Sequence, residues 1–338
     1  MFKKSLLSLI IVSTLLSFSI PSQAKNDEIK VNGKDKKEIS KNLKKINDKK
    51  PDDLVSQKLS SVDDNSFNSA QENLTINLDL KTKKTKIIRP NKSDVEIGLP
   101  ISNLYDSVDV VDDKAIYSGT NSKSEIIIEA VDGGIRQFIN IKSADAPSFY
   151  DFPVTLLPGE VIKINENGSG NILDQNGVSK LIIGKPWAKD ANGVELKTTY
   201  SVIGSILRQQ IDFTNAVFPI VADPIWCGVT TSYVSWINRD GMWSASNHQT
   251  GCGAWNCGAM YACWQESYDK TYYCAQFSGN QCVTIPWNKS NNGQNNSMYN
   301  QFFCHANTIA GAKYPWNLEP SRADKSYWGF TNFWDKCN

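Results

Sequence analysis

The side chains with chemistry in them crowd into one end of this 338-residue chain. All eight cysteines, both histidines and every tryptophan except Trp187 lie between Trp226 and Asn338. Thiols there can attack, ligate a metal or crosslink. Zinc sites bring ligands in close pairs such as C-x2-C, and none occurs. The spacings are instead Cys252-x4-Cys257-x5-Cys263 and Cys274-x7-Cys282, with Cys227, Cys304 and Cys337 outlying. An even count at such spacing reads as a disulfide framework, with no metal and no cofactor.

His305 is the candidate acid or base, with Glu319, Asp324 or Asp240 available to orient it and Arg322 as a charged neighbour. The sequence places it on a helix capped by Ser297 and ended by Gly311. There it shares an apolar arc with Met298, Phe302 and Ile309. A histidine on such an arc is more often a hydrogen-bonded packing residue, and no nucleophile motif accompanies it. His248 follows Trp243-Ser244-Ala245-Ser246-Asn247 in a stretch that reads as a loop. Ser244 and Ser246 lie too close to it in sequence for a triad. Glu266 and Asp269 have the residue types for glycoside cleavage, yet three residues apart on a short segment they read as a solvated helix face. Arg239-Asp240 likewise reads as an ion pair beside a turn at Gly241.

The tryptophans exceed what so small a region readily buries. Some are therefore expected at the surface, where rings suit stacking on sugars, peptides or lipid interfaces. Asn291, Asn292, Gln294, Asn295 and Asn296 offer hydrogen bonds to hydroxyls but read more simply as a polar loop.

Four segments position these groups. Residues 1–24 form an export signal: Lys3 and Lys4, an apolar run from Leu6 to Ile20, then Ser22-Gln23-Ala24, with cleavage after Ala24. That run is shorter than the ~20 residues a spanning helix needs, so the expectation is a secreted protein with no integral membrane span. Residues 25–92 are rich in Lys and Asp, with Phe67 the only aromatic, and read as a flexible charged leader. Ile39, Leu43 and Ile46 give it transient helical character. Residues 93–224 carry short β-branched runs and the turn pairs Asn167-Gly168, Asn176-Gly177 and Asn192-Gly193. They predict a mainly β domain, an antiparallel sandwich or open barrel, without a catalytic constellation. Residues 225–338 are expected to form a small disulfide-rich α+β domain. With 36 Lys+Arg against 35 Asp+Glu, no bulk field points to nucleic acid.

Two resemblances add to this. Ala144-Asp145-Ala146-Pro147, Tyr150–Leu156, Pro186–Gly193 and Phe218–Pro224 resemble a β-rich region of secreted Gram-positive proteins, where it precedes variable C-terminal modules; a carrier or surface-association role is implied. Trp236 with Arg239-Asp240-Gly241, Gln301-Phe302-Phe303-Cys304-His305, Trp316-Asn317-Leu318-Glu319-Pro320 with Arg322, and Cys337-Asn338 resemble a C-terminal domain of uncharacterised secreted bacterial proteins. The chain departs from that pattern between Cys252 and Cys282. Cys304 and Cys337 lie in the stretches that carry the resemblance, while the other six cysteines cluster earlier. The resemblance therefore implies a Cys304–Cys337 bridge, a closure contributing about 3–4 kcal/mol on the chain-entropy model.

Three functions are consistent with these features. The first is a secreted binding protein for an extracellular glycan, protein or cell surface, with a cell-wall glycan or a surface molecule as its ligand. The second is an antibacterial or cytotoxic effector released from a pro-region near Asp223-Pro224. The third is a secreted hydrolase using His305.

Overall fold

The computed structural model describes residues 30–31, 43–46, 48, 50, 52, 54, 56–90, 92–100, 104–239, 241–257, 260–271, 277–278, 281–282, 287–309, 314–324 and 337. Of these, 30, 31, 277, 278, 281, 282, 308 and 309 are described by backbone alone. The expected export signal, Asp240, Cys274, Gly311, Trp328 and Trp334 lie outside the described residues.

The chain is mainly β, with antiparallel sheets followed by a small helical, disulfide-linked region. One sheet runs Thr198–Ile203, Ile206–Ile211, Phe149–Thr155, Lys92–Gly98, Lys84–Arg89, Leu74–Asp79, Ser66–Gln71, Ser60–Asp63. The other is centred on the hairpin Ser124–Val131/Gly134–Ile141. Ile76, Leu78 and Ile87 of the first share a buried core with Ile126, Ile128, Ile135 and Ile139 of the second, as in a sandwich.

The second half of the expected leader is part of this sandwich. Residues 60–63, 66–71, 74–79 and 84–89 are strands. Leu74, Ile76 and Leu78 alternate with polar residues, so one face is buried and the other wet. Burying each such side chain contributes about 1.5–3 kcal/mol, which offsets the ordering entropy. Composition averaged over 25–92 hides this period of two. Leu43 and Ile46 are also buried, packed with Val111, Ile116, Ile127, Phe138 and Val221.

The expected boundary at 224/225 falls inside the larger sheet. Ile225–Cys227 is a strand between Gly134–Ile141 and Ser179–Ile183, with Trp226 opposite both Ile135 and Ile183. Trp226 is fully buried, donates from Nε1 to Gln137 Oε1 at 2.9 Å and meets Phe152 edge-on. Arg136, opposite Ile225, is buried among carboxylates: Asp223 at 3.1 Å, Glu129 at 3.5 Å and Asp52. Burial raises the Asp223 carboxyl to about 7, against the opposing pull of Arg136.

The C-terminal region pairs Thr231–Arg239 with Met242–Gln249, and the latter with Trp316–Leu318. Gly241, with φ of 81°, makes the tight turn. His248, expected in a loop, therefore sits on a strand. Helix α1 is Gly251–Asn256, α2 is Met260–Lys270 and α3 is Asn292–Cys304, continued by a π-helical turn at His305–Ile309. Thr250 caps α1 by accepting from Gly253 N. Asn291 caps α3, accepting from Gly293 N and Gln294 N. The Asn-rich run expected as a loop is thus the first half of α3. Ser297, expected as the cap, is buried in the helix interior and donates to the Arg322 carbonyl at 2.8 Å. Apolar periodicity begins only at Met298, so pattern alone starts the helix too late.

Among the described residues three bridges staple this region: Cys227–Cys252, Cys257–Cys263 and Cys304–Cys337, with Cα separations of 5.6, 5.8 and 5.6 Å. Among the described residues no cysteine is free, no group of side chains is placed to hold a metal ion, and no helix is long and apolar enough to cross a membrane.

Candidate functional site

The expected catalytic residues divide into separate places. His305 is fully enclosed and stacks on Trp316, ring centroids 5.8 Å apart and planes 9° from parallel. Phe302 meets the same indole edge-on. Glu319 is also buried, with both oxygens engaged: Ser244 Oγ donates to Oε1 at 3.1 Å and Arg322 Nε to Oε2 at 3.0 Å. Gln301 reads the Glu319 backbone twice, accepting from its N–H at 2.8 Å and donating to its carbonyl at 2.9 Å. The structure thus joins Glu319 to Arg322 in a network that ties α3 to the strand Trp316–Leu318. Asp324 instead accepts from Asn300 Nδ2 at 2.7 Å.

His248 is more open. Its ring stacks on Tyr233 at 4.0 Å, and its Nδ1 lies 3.2 Å from the Tyr314 hydroxyl. Burial lowers its pKa, which favours neutral imidazole. Ser246 Oγ is 3.5 Å from Nε2 and itself buried. Strand geometry makes this pair neighbours despite their closeness in sequence, but the separation is at the limit of a hydrogen bond.

Tryptophans mostly fill the core. Trp226, Trp236, Trp264 and Trp316 are buried, and among the described tryptophans only Trp255 is exposed, at 40%. The most open rings are tyrosines: Tyr261 (68% exposed), Tyr314 and Tyr233.

One of these rings stands at a cleft of about 640 Å³ between the two regions. The first wall comes from the strands Val161–Ile164, Gly170–Leu173 and Ser179–Ile183, turned tightly at Gly168 and Gly177. The second wall is α2, and the floor runs through Cys227, Gly228 and Thr230. The first wall presents an amide ladder: Ser179 Oγ donates to Asn171 Oδ1 at 3.0 Å, and Asn171 Nδ2 donates to Asn165 Oδ1 at 3.3 Å. Asn165 Nδ2 donates in turn to Ser169 Oγ at 3.0 Å, so each amide is held in one orientation. From α2 come Tyr261, Gln265, Glu266 and Asp269.

Glu266 and Asp269 therefore line a cleft, but neither is a free acid–base group. Glu266 Oε2 accepts from Thr230 N at 3.0 Å and Thr230 Oγ1 at 2.8 Å, and Oε1 pairs with Lys270 at 3.3 Å. Asp269 accepts from Gln265 Nε2 at 2.8 Å. Reading the sequence missed Asn165, Asn171 and Ser179. The turn pairs that flank them were the available signal for the hairpins, but no local pattern joins residues 163–182 to 260–269.

Lys180 is buried and paired with Glu160. Lys92 and Lys163 also reach the cleft, and among the described residues neither has an ion-pair partner. Desolvation lowers the Lys92 pKa. Under the floor, Arg89 is 4% exposed. Its Nη2 donates to the Ser93 carbonyl at 2.9 Å, while Nε and Nη1 are buried without a partner.

Residues 261–338 match the model of a family described as a protein of unknown function, DUF2599. The match begins at Tyr261 and takes in most of α2, all of α3 and the Glu319–Arg322 network. No curated protein matches the chain.

Proposed function

We propose that the protein is exported, loses its signal after Ala24 and acts outside the cell as a carbohydrate-binding protein. The observation that carries this is the cleft between α2 and the 161–183 hairpins. Its lining sets amides, hydroxyls and charged groups among apolar side chains such as Leu173, Val178 and Met260, with one exposed ring, Tyr261, at hand for stacking. Sugars present just those complements: vicinal hydroxyls for oriented amides and a C–H face for an aromatic ring. The disulfides support an oxidising location.

Neither competing function gains from the arrangement. His305 is sealed beneath Trp316, out of reach of a substrate. Cutting near Asp223-Pro224 would sever a strand from the middle of a sheet, which counts against release of the C-terminal region as an effector.

The test is binding of the full exported chain to a panel of soluble oligosaccharides, with Tyr261→Ala beside it. We expect a glycan to bind and the variant to lose about 2 kcal/mol of affinity, as interface anchors do. A panel without a ligand, or a variant that binds as tightly as the parent chain, would overturn the proposal.

A further inference from the structure

The polar groups of the cleft are balanced hydrogen-bond partners, but its charges are not balanced. Lys180 is neutralised by Glu160 and Lys270 by Glu266. That leaves Lys92 and Lys163 in the lining, and Arg89 beneath the floor, against Asp269. The floor lies close on Arg89 because residue 228 is glycine. A Cβ there would come 2.8 Å from Ile87 Cγ2 and 3.4 Å from Arg89 Cδ. A cation held under a thin floor, away from water, is screened less than a surface one.

Resting on the carbohydrate reading, we infer that the cleft takes acidic glycans, sugar polymers bearing carboxylate or phosphate groups, in preference to neutral ones. An ammonium is a compact point charge that pairs with either acid. Lys92 and Lys163 stand ready for this role because no carboxylate of the described residues already holds them. The amide ladder and Tyr261 supply the contacts to the sugar itself, and the lysines supply the selection for charge.

The experiment is calorimetric titration of the full exported chain at low and at high sodium chloride. The probes are a galacturonic acid hexamer, a polymer of N-acetylglucosamine 1-phosphate and a neutral N-acetylglucosamine hexamer. We expect at least one acidic probe to bind about tenfold or more tightly than the neutral one, with an affinity that falls as salt rises. Comparison of the two acidic probes distinguishes carboxylate from phosphate as the source of charge. A Lys92→Gln/Lys163→Gln double variant, its folding checked by thermal melt, should weaken acidic binding about tenfold and neutral binding by much less, so that the preference shrinks. Equal affinity for neutral and acidic probes, or acidic binding untouched by the double variant, would overturn the inference while leaving the carbohydrate reading in place. Absence of binding by all three, and by the wider panel, would remove both.

Discussion

Glu319 is the side chain on which the fit of α3 against the small sheet depends. Its carboxylate accepts from Ser244 on one strand and from Arg322 beyond the next, while Gln301 grips its backbone. Replacement by alanine leaves a buried hydroxyl without its acceptor. We expect Glu319→Ala to cost about 2–3 kcal/mol in urea unfolding, with binding in the cleft, which Glu319 does not line, retained. Asp223 is a second test at this scale. Its carboxyl titrates at about 7 in the folded chain against 3.8 ordinarily, so the folded state holds the proton more tightly. The stability this proton confers is full below pH 3.8 and is lost as pH rises through about 7. Melting temperatures across that window should show Asp223→Asn gaining on the parent chain toward the alkaline end. A constant gap would show that Asp223 does not titrate there. Sequence alone selected Glu319 and Arg322 by their types and offered Glu319 as an orienting partner for His305, not for Ser244 or Gln301. The partners, Ser244 and Gln301, lie 75 and 18 residues away from Glu319.

At the scale of elements, caps and alternation decide what forms. Asn291 satisfies two N–H groups at the start of α3, and Asn291→Ala should cost about 1 kcal/mol in thermal or urea unfolding. An unchanged midpoint would mean that the helix starts later, nearer Ser297. Hairpins turned by Asn-Gly pairs are legible because the turn chemistry is local: Gly168 and Gly177 both take positive φ. The strands at 60–89 are harder to read because their outward positions are filled with Lys, Thr, Asn and Asp. Those residues dominate any average, although Leu74, Ile76, Leu78 and Ile87 sit entirely inside. His248 fails for a related reason. Ser, Asn and Gln surround it, and it is pairing with Thr231–Arg239 rather than propensity that makes the stretch a strand.

For the whole molecule, the two regions share a sheet, a bridge and a cleft. Trp226 fills the first core, and Cys227 beside it is bonded to Cys252 of the second. A fragment beginning at Ile225 would carry Trp226 exposed and its strand unpaired on both sides. We expect such a fragment to lack a cooperative melt and the near-ultraviolet dichroism of fixed aromatic rings. A sharply melting fragment would show the C-terminal region to be autonomous. The cleft is the least legible feature of all, since it exists only where residues far apart in sequence are brought face to face.

The strand Ile225–Cys227 also sets an order of events. It lies between Gly134–Ile141 and Ser179–Ile183, so it joins two parts of the larger sheet that are made much earlier in the chain. If the chain is exported N-terminus first, as proposed above, both parts are delivered before the strand that unites them. Until residue 227 emerges, the flank at 161–183 has an open edge along Ser179–Ile183, a surface prone to pairing with other chains. On that proposed route the seam between Gly134–Ile141 and Ser179–Ile183 would close as the first cysteine arrives, which would place oxidation of Cys227 after most of the larger sheet is complete.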